Sequence, residues 1–129
     1  MILLRIEIPF SATHQIDILG ELEPVHGHDF RCLVELESED ARDASLVAAT
    51  VRAALAGLSH THLGAVALSE GGKPSAERIA RHLHHEIGRR LDPALRVARV
   101  TVHESPGCSA SYSSRARANG TTSAAATRA

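Results

Sequence analysis

Residues 23–37 read Glu-Pro-Val-His-Gly-His-Asp-Phe-Arg-Cys-Leu-Val-Glu-Leu-Glu, and from position 26 onward they alternate. Phe30, Cys32, Val34 and Leu36 share one side, while Asp29, Arg31, Glu35 and Glu37 share the other. A period of two with one apolar side marks a half-buried strand. His26 and His28 fall on its apolar side. Upstream, Ile2, Leu4, Ile6, Ile8 and Phe10 alternate with Arg5 and Glu7, which predicts a second strand over residues 2–10. Residues 11–25 carry no period and contain Gly20 and Pro24, so they read as the loop between the two strands.

Downstream the period changes. Asp43 is placed to cap a helix whose apolar stripe is Val47, Val51, Ala54, Leu55 and Leu58. Residues 59–73 read as a loop broken by Gly64, Gly71 and Gly72. Pro74-Ser75-Ala76-Glu77 opens a second helix, with Ser75 as its cap and Glu77 near the positive end of the helix dipole. Its stripe is Ile79, Ala80, Leu83, Ile87 and Leu91, and Asp92-Pro93 ends it. Residues 96–104 alternate again, with Ala98, Val100, Val102 and Glu104 on one face and His103 on the other. A turn at Pro106-Gly107 leads to a return strand around Tyr112. The order strand–strand–helix–helix–strand–strand predicts an α+β domain over residues 1–113, two helices on one face of an antiparallel sheet. Residues 114–129, rich in Ser, Ala, Thr and Arg, lack an apolar period and are expected to be a disordered tail. The sheet edges would be unpaired in a monomer, so assembly by sheet closure is expected.

Composition narrows the function. The 129 residues hold 14 Lys+Arg and 15 Asp+Glu, for a net charge of −1. That balance argues against a nucleic-acid partner, which calls for a basic face. Two Phe and one Tyr make no base-stacking platform. No apolar run reaches the ~20 residues of a membrane helix, so no membrane partner is expected. The first residues carry no signal-peptide pattern, and a cytoplasmic location is expected. Cys32 and Cys108 do not suggest a disulfide framework. Nine histidines are the unusual feature.

His14 follows the first strand. His26 and His28 sit two residues apart on the next, so their side chains point the same way. An antiparallel hairpin can bring His14 beside them. Three imidazoles with one open position have the form of a catalytic zinc site. Taken alone, His-x-His at a strand start is a short pattern that an ordinary polar pair also produces.

The wider set is ordered along the chain: Phe10-x-Ala12-x-His14, His26-Gly27-His28, Leu58-Ser59-His60, Pro74-Ser75-x-Glu77, Val102-His103-Glu104 and Tyr112. It resembles the 6-pyruvoyl-tetrahydropterin synthase family, which includes the 6-carboxy-tetrahydropterin synthases, over residues 1 to about 113. The resemblance implies the tunnelling fold (T-fold). Three subunits of that fold close a twelve-stranded antiparallel barrel, and two trimers stack as a hexamer, with active sites between subunits. It implies zinc held by His14, His26 and His28, acting as a Lewis acid on the substrate side chain. It implies a pterin-like small molecule gripped by Glu104, because a carboxylate accepts two hydrogen bonds from a guanidine-like ring edge. Ser75, Ala76 and Glu77 would border that pocket.

Two positions differ from the family pattern. The family's proton-transfer cysteine, four residues before His-Gly-His, is Leu22 here. The aspartate of its aspartate–histidine relay is Ser59, although His60 is kept. The standard elimination and isomerisation would lose two of three proton carriers. Glu23, three residues before His26, offers a substitute: some family members place glutamate at this Glu-x-x-His-Gly-His spacing and cleave the side chain of dihydroneopterin triphosphate like an aldolase. Glu23 and His60 are therefore the candidate catalytic residues, and the reaction, if there is turnover, is that of a pterin-triphosphate lyase. A solvated loop residue beside Glu21 is the plainer reading of Glu23. Cys32 reads as a core residue, Cys108 as a turn cysteine, Tyr112 as packing or substrate contact, and His82, His84 and His85 as a solvated helix face. The alternatives to the lyase are a homologue that binds a pterin or purine-like ligand without synthase turnover, and a ring-forming scaffold with neither metal nor ligand.

Overall fold

The computed structural model describes residues 1–14, 17–63, 74–116 and 122–128. The side chains of residues 17, 18, 26 and 28, and those from 115 onward, lie outside that description, as do Gly64, Gly71 and Gly72. The elements are β1 (Ile2–His14), β2 (Asp17–Ile18), β3 (Glu21–Leu22), β4 (His26–Ser38), α1 (Ala44–Leu55), β5 (Thr61–His62), α2 (Ala76–Arg90), β6 (Leu95–Ser105), β7 (Cys108–Ala116) and β8 (Thr122–Arg128). Six strands form one sheet in the order β5-β1-β4-β6-β7-β8, and β2 pairs with β3 in a separate hairpin. Only β5 runs parallel to its neighbour, so the sheet is mixed. The four long strands and two helices are those expected from the periods.

The local chemistry is simple. Asp43 caps α1 by accepting from the Ser45 N–H at 2.9 Å, and Ser75 caps α2 by accepting from the Arg78 N–H at 3.4 Å. Both helices bury their apolar stripes against one sheet face, Val47, Val51, Leu55, Ile79, Leu83 and Ile87 meeting Ile6, Ile8, Phe30, Val34, Val100 and Val102. Phe10 and Phe30 are cross-strand partners whose rings stack at 4.9 Å. Cys32 is fully buried in this layer, and burial pushes its thiol pKa up to about 12, as suits an inert core residue.

The opposite face is a ladder of charge. Arg5 and Arg99 flank the buried carboxylate of Glu35 at 3.6 and 2.7 Å, Arg31 meets Glu7 at 3.3 Å, and Arg96 meets Glu37 at 2.6 Å. Two guanidiniums make burial of Glu35 tolerable, and the same pairing raises the Arg99 pKa.

Four expectations about the strands and the segments between them are corrected. β1 does not stop at Phe10 but continues to His14, because Ala12 and His14 keep its inward parity and are both buried. The segment after it is no featureless loop: β2 and β3 meet through Leu19-Gly20, both at positive φ, as a two-residue primed turn requires. On β6, Val97 rather than Ala98 points inward. Glu35 pairs with Arg99 and Leu36 with Val97, so Ala98 is the extra residue of a bulge and parity reverses across it. Beyond Ser113, where an unstructured tail was expected, β7 runs on to Ala116 and β8 lies along its outer edge from Ala116↔Thr122 to Ala110↔Arg128.

Nor is the histidine face of α2 simply solvated. His84 packs edge-on against the Tyr112 ring at 5.0 Å and lies 3.4 Å from the Ser114 hydroxyl. Desolvation, followed by the charges of His85 and Arg96, holds its pKa below the ordinary value, against a hydrogen bond to the Val97 backbone; His82 is lowered too, first by desolvation. An imidazole with a depressed folded-state pKa binds its proton more readily in the unfolded chain. Its contribution is complete above the unfolded value near 6.5 and is lost as pH falls through that value towards the folded one. The midpoint of thermal unfolding is expected to drop between pH 7.5 and 5. His84→Gln should flatten that dependence relative to the parent chain, whatever it does to the midpoint at neutral pH.

Candidate active site

His14 ends β1 on the helix-facing side and is only 1 % exposed. Its ring sits edge-on against Phe30 at 5.7 Å, and its Nδ1 lies 2.9 Å from the Pro74 carbonyl. A carbonyl only accepts, so this bond requires the proton on Nδ1 and puts the lone pair on Nε2. Such a second hydrogen bond is how metal-binding histidines are held in tautomer and orientation. The register sets position 26 directly across from His14, and position 28 across from Ala12. The side chains of His26 and His28 lie outside the described residues, and among those described no three His, Cys, Asp or Glu side chains cluster as a metal site. What is described fits zinc at the His14 end: a buried imidazole with its coordinating nitrogen selected, on the strand paired with the one that carries the two other expected ligands.

The Pro74 bond also ties the start of α2 to that end of the sheet. Ser75 spends its hydroxyl as the helix cap, Ala76 is buried in the core, and Glu77 is half-buried in the first turn. Of the three, Glu77 alone keeps a charged group at the border the sequence assigns to this segment. Glu23 is half-buried, in the link between β3 and β4.

Glu104 stands near the end of β6. His103 pairs with Ser109 and Ser105 with Cys108, so Glu104 is the extra residue of a second bulge. Bulges re-aim a side chain and gather beside functional sites. Its Oε2 accepts from the Cys108 thiol at 3.6 Å, an ordinary separation for sulfur, and its Oε1 is buried with no hydrogen-bond partner among the described residues. An unpaired buried carboxylate oxygen costs about 1–3 kcal/mol or more. A ligand N–H donor would remove that cost.

His60 lies elsewhere. Its backbone N–H donates to the Ser11 carbonyl at 2.5 Å, and β5 beyond it docks on β1 through Ala12↔Thr61 and Thr13↔His62, with Thr13 Oγ1 2.9 Å from His62 Nδ1. His60 adopts φ +58, a left-handed conformation that disfavours a side chain. It lines a cavity of about 610 Å³ with Ser11, Asp29, Arg31, Ser59 and His103, on the charged side of the sheet. His103 faces that side, as its parity predicts. Within one chain, then, His60 is not in the group formed by His14, the start of α2 and the β1–β4 register.

Asp29 was not singled out in the sequence. Its Oδ1 accepts from Ser11 Oγ at 2.8 Å, and it lines both this cavity and a neighbouring one of about 520 Å³ with His60. Ser59 replaces the carboxylate expected beside His60, and Asp29 brings one to the same cavity from β4. No local spacing signals it, because the approach is made across strands. Leu22, where the resemblance leads one to expect a cysteine, is 62 % exposed on β3.

A family model described as 6-pyruvoyl tetrahydropterin synthase matches residues 3–115. The chain belongs to the 6-pyruvoyl tetrahydropterin synthase family. The solved 6-pyruvoyl tetrahydropterin synthase of Caenorhabditis elegans superposes with a TM-score of 0.73 at 17% identity, covering 87% of this chain and 94% of that one. The Plasmodium vivax enzyme gives 0.65 at 17%, covering 86% and 97%. A further structure of the Plasmodium vivax enzyme, at 0.65 and 16% over 86% and 97%, is described as a catalytic-residue mutant with glutamate replaced by alanine. An uncharacterized protein of Wolinella succinogenes gives 0.68 at 18%, covering 87% and 97%. No curated protein matches in sequence. Identities this low speak to fold alone, and they agree with the α+β T-fold expected of the family.

His60→Gly should relieve the left-handed backbone. The expected result is a gain of up to about 1 kcal/mol in urea-induced unfolding. An unchanged or lower stability would mean that the imidazole itself holds β5 on β1.

Proposed function

We propose that this family member is a zinc-dependent lyase that cleaves the side chain of dihydroneopterin triphosphate in the manner of an aldolase. The observation that carries the reading is the buried, unpaired Oε1 of Glu104, an acceptor suited to the N–H donors of a pterin ring edge. His14, His26 and His28 would hold the zinc, which supplies Lewis-acid polarisation of a side-chain oxygen when bound. Glu104 orients the ring, and the segment Ser75–Glu77 borders it. Glu23 takes the proton from the side-chain hydroxyl. As that oxygen becomes a carbonyl, the neighbouring carbon–carbon bond breaks and its electron pair passes to the carbon attached to the ring. His60 returns a proton to that carbon, giving 6-hydroxymethyl-dihydropterin. The catalytic glutamate replaced in the Plasmodium vivax structure supports a carboxylate in the base's role.

His60 stands on the other side of the sheet from His14, so the reading needs His60 of a neighbouring subunit. We infer that the outer edge of β1 closes against further copies, giving trimers that stack as a hexamer. A binding homologue without turnover is the second reading, favoured by Leu22 and Ser59 where the family carries its cysteine and aspartate.

Three measurements test this. Purified protein should carry zinc near one per chain by elemental analysis, and His14→Ala should lose it. With zinc bound, the parent chain should release 6-hydroxymethyl-dihydropterin, and Glu23→Ala should lower the rate by at least about 100-fold while still binding pterin. Pterin binding without product in the parent chain would decide for the binding homologue, and the absence of both metal and pterin affinity for a scaffold.

A further inference from the structure

We infer that Cys108 is the positioning residue for Glu104: its thiol holds the carboxylate in the plane in which both oxygens can meet a ring edge carrying two adjacent N–H donors. The inference rests on the assignment of Glu104 as the ligand-gripping group. It begins from the hairpin. Ser105 and Cys108 pair across a two-residue turn, Pro106-Gly107, in which Gly107 has φ +79. Proline first and a left-handed glycine second is the signature of a type II turn, so the backbone at Cys108 is held tightly. The bulge at Glu104 then brings a carboxylate, four residues back, onto the thiol at 3.6 Å.

The need for such a donor follows from the glutamate side chain. Its terminal torsion is broad, so the carboxylate plane is poorly fixed by rotamer preference alone. One donor on Oε2 selects the plane. Each carboxylate oxygen offers two lone pairs, so Oε2 can keep the thiol and still accept from a ligand, while the buried Oε1 takes the second ligand donor. The thiol supplies this constraint with a weak, neutral donor. A lysine or arginine there would occupy the carboxylate as an ion pair and compete with the ligand. Cys32, the other cysteine, takes no part, being sealed in the core.

The ligand class is set by this geometry: a ring with an amino group beside a ring N–H, as in the 2-amino-4-oxo edge of a pterin. A ring that lacks the amino group uses one oxygen only and gains little from the fixed plane.

Two arms test the inference. In the first, the infrared S–H stretch of Cys108 is identified by its disappearance in Cys108→Ala and followed in Glu104→Gln. The band should move to higher frequency when the carboxylate becomes an amide, because a neutral acceptor binds the thiol less strongly. A band that stays in place overturns the coupling, and this arm needs no ligand, so it stands whether or not the lyase reading survives. In the second, neopterin and a 2-deamino analogue are titrated into the full chain. Cys108→Ala should weaken neopterin by about fivefold and leave the analogue unchanged, and Cys108→Ser, which keeps a donor, should restore neopterin binding. Equal affinity of the alanine variant and the parent chain for neopterin, or equal losses in the alanine and serine variants, overturns the inference. If the parent chain binds neither compound, the functional reading falls, and the infrared arm alone decides the role of Cys108.

Discussion

The pairing of β1 with β4, thirteen residues long on each side, holds the rest of the molecule to its course. It runs from Ile2↔Ser38 to His14↔His26 without a slip. Because side chains alternate, a shift of one residue would turn Phe10, Phe30 and Val34 to water and drive Glu7, Arg31 and Glu35 into the core. The stacked rings of Phe10 and Phe30 oppose any such shift near one end of the ladder, and the charge pairs of Glu35 and Glu7 oppose it from the other face. The position of His14 is a consequence. It is the last inward residue of β1, seated against Phe30 and bonded to the residue before the α2 cap.

The two faces of the sheet divide the chemistry. The helix-facing side carries His14 and the start of α2. The charged side carries Asp29, Arg31, His103 and the cavity that His60 lines. A sheet with both faces in use leaves its edges to be accounted for. β8 covers the outer edge of β7, while β5 covers β1 only at Ala12 and Thr13, so the outer edge from Ile2 to Phe10 is unpaired among the described residues. Unpaired strand edges are templates for further strands, which gives the inferred closure against other copies a physical basis.

Two departures from ideal backbone fall on candidate residues. The bulge at Glu104 turns a carboxylate onto Cys108 and buries one of its oxygens without a partner, and His60 holds a left-handed backbone that its bond to Ser11 sustains. Each is a local cost in a chain whose two helices are both capped at their N-termini. Costs of this kind persist where a side chain must be presented in one direction.

The four long strands, both helices and both helix caps could be read from residue order alone, because a period of two or 3.6 is enforced residue by residue by what each element buries. Asp43, Ser75 and the Pro106-Gly107 turn were legible for the same reason: their effects reach only a few residues along the chain. The continuation of β1 to His14 and the inward turn of Val97 were not legible, since both follow from what the neighbouring strand offers as a partner. The same limit applies to the site. The pattern of spaced motifs made Glu104 and His60 candidates, but the orphaned oxygen, the thiol bonded to the same carboxylate, and the Ser11–Asp29 pair beside His60 arise from contacts across strands. No periodicity encodes those contacts, because they depend on bulges and on edges brought together only when the whole sheet has formed.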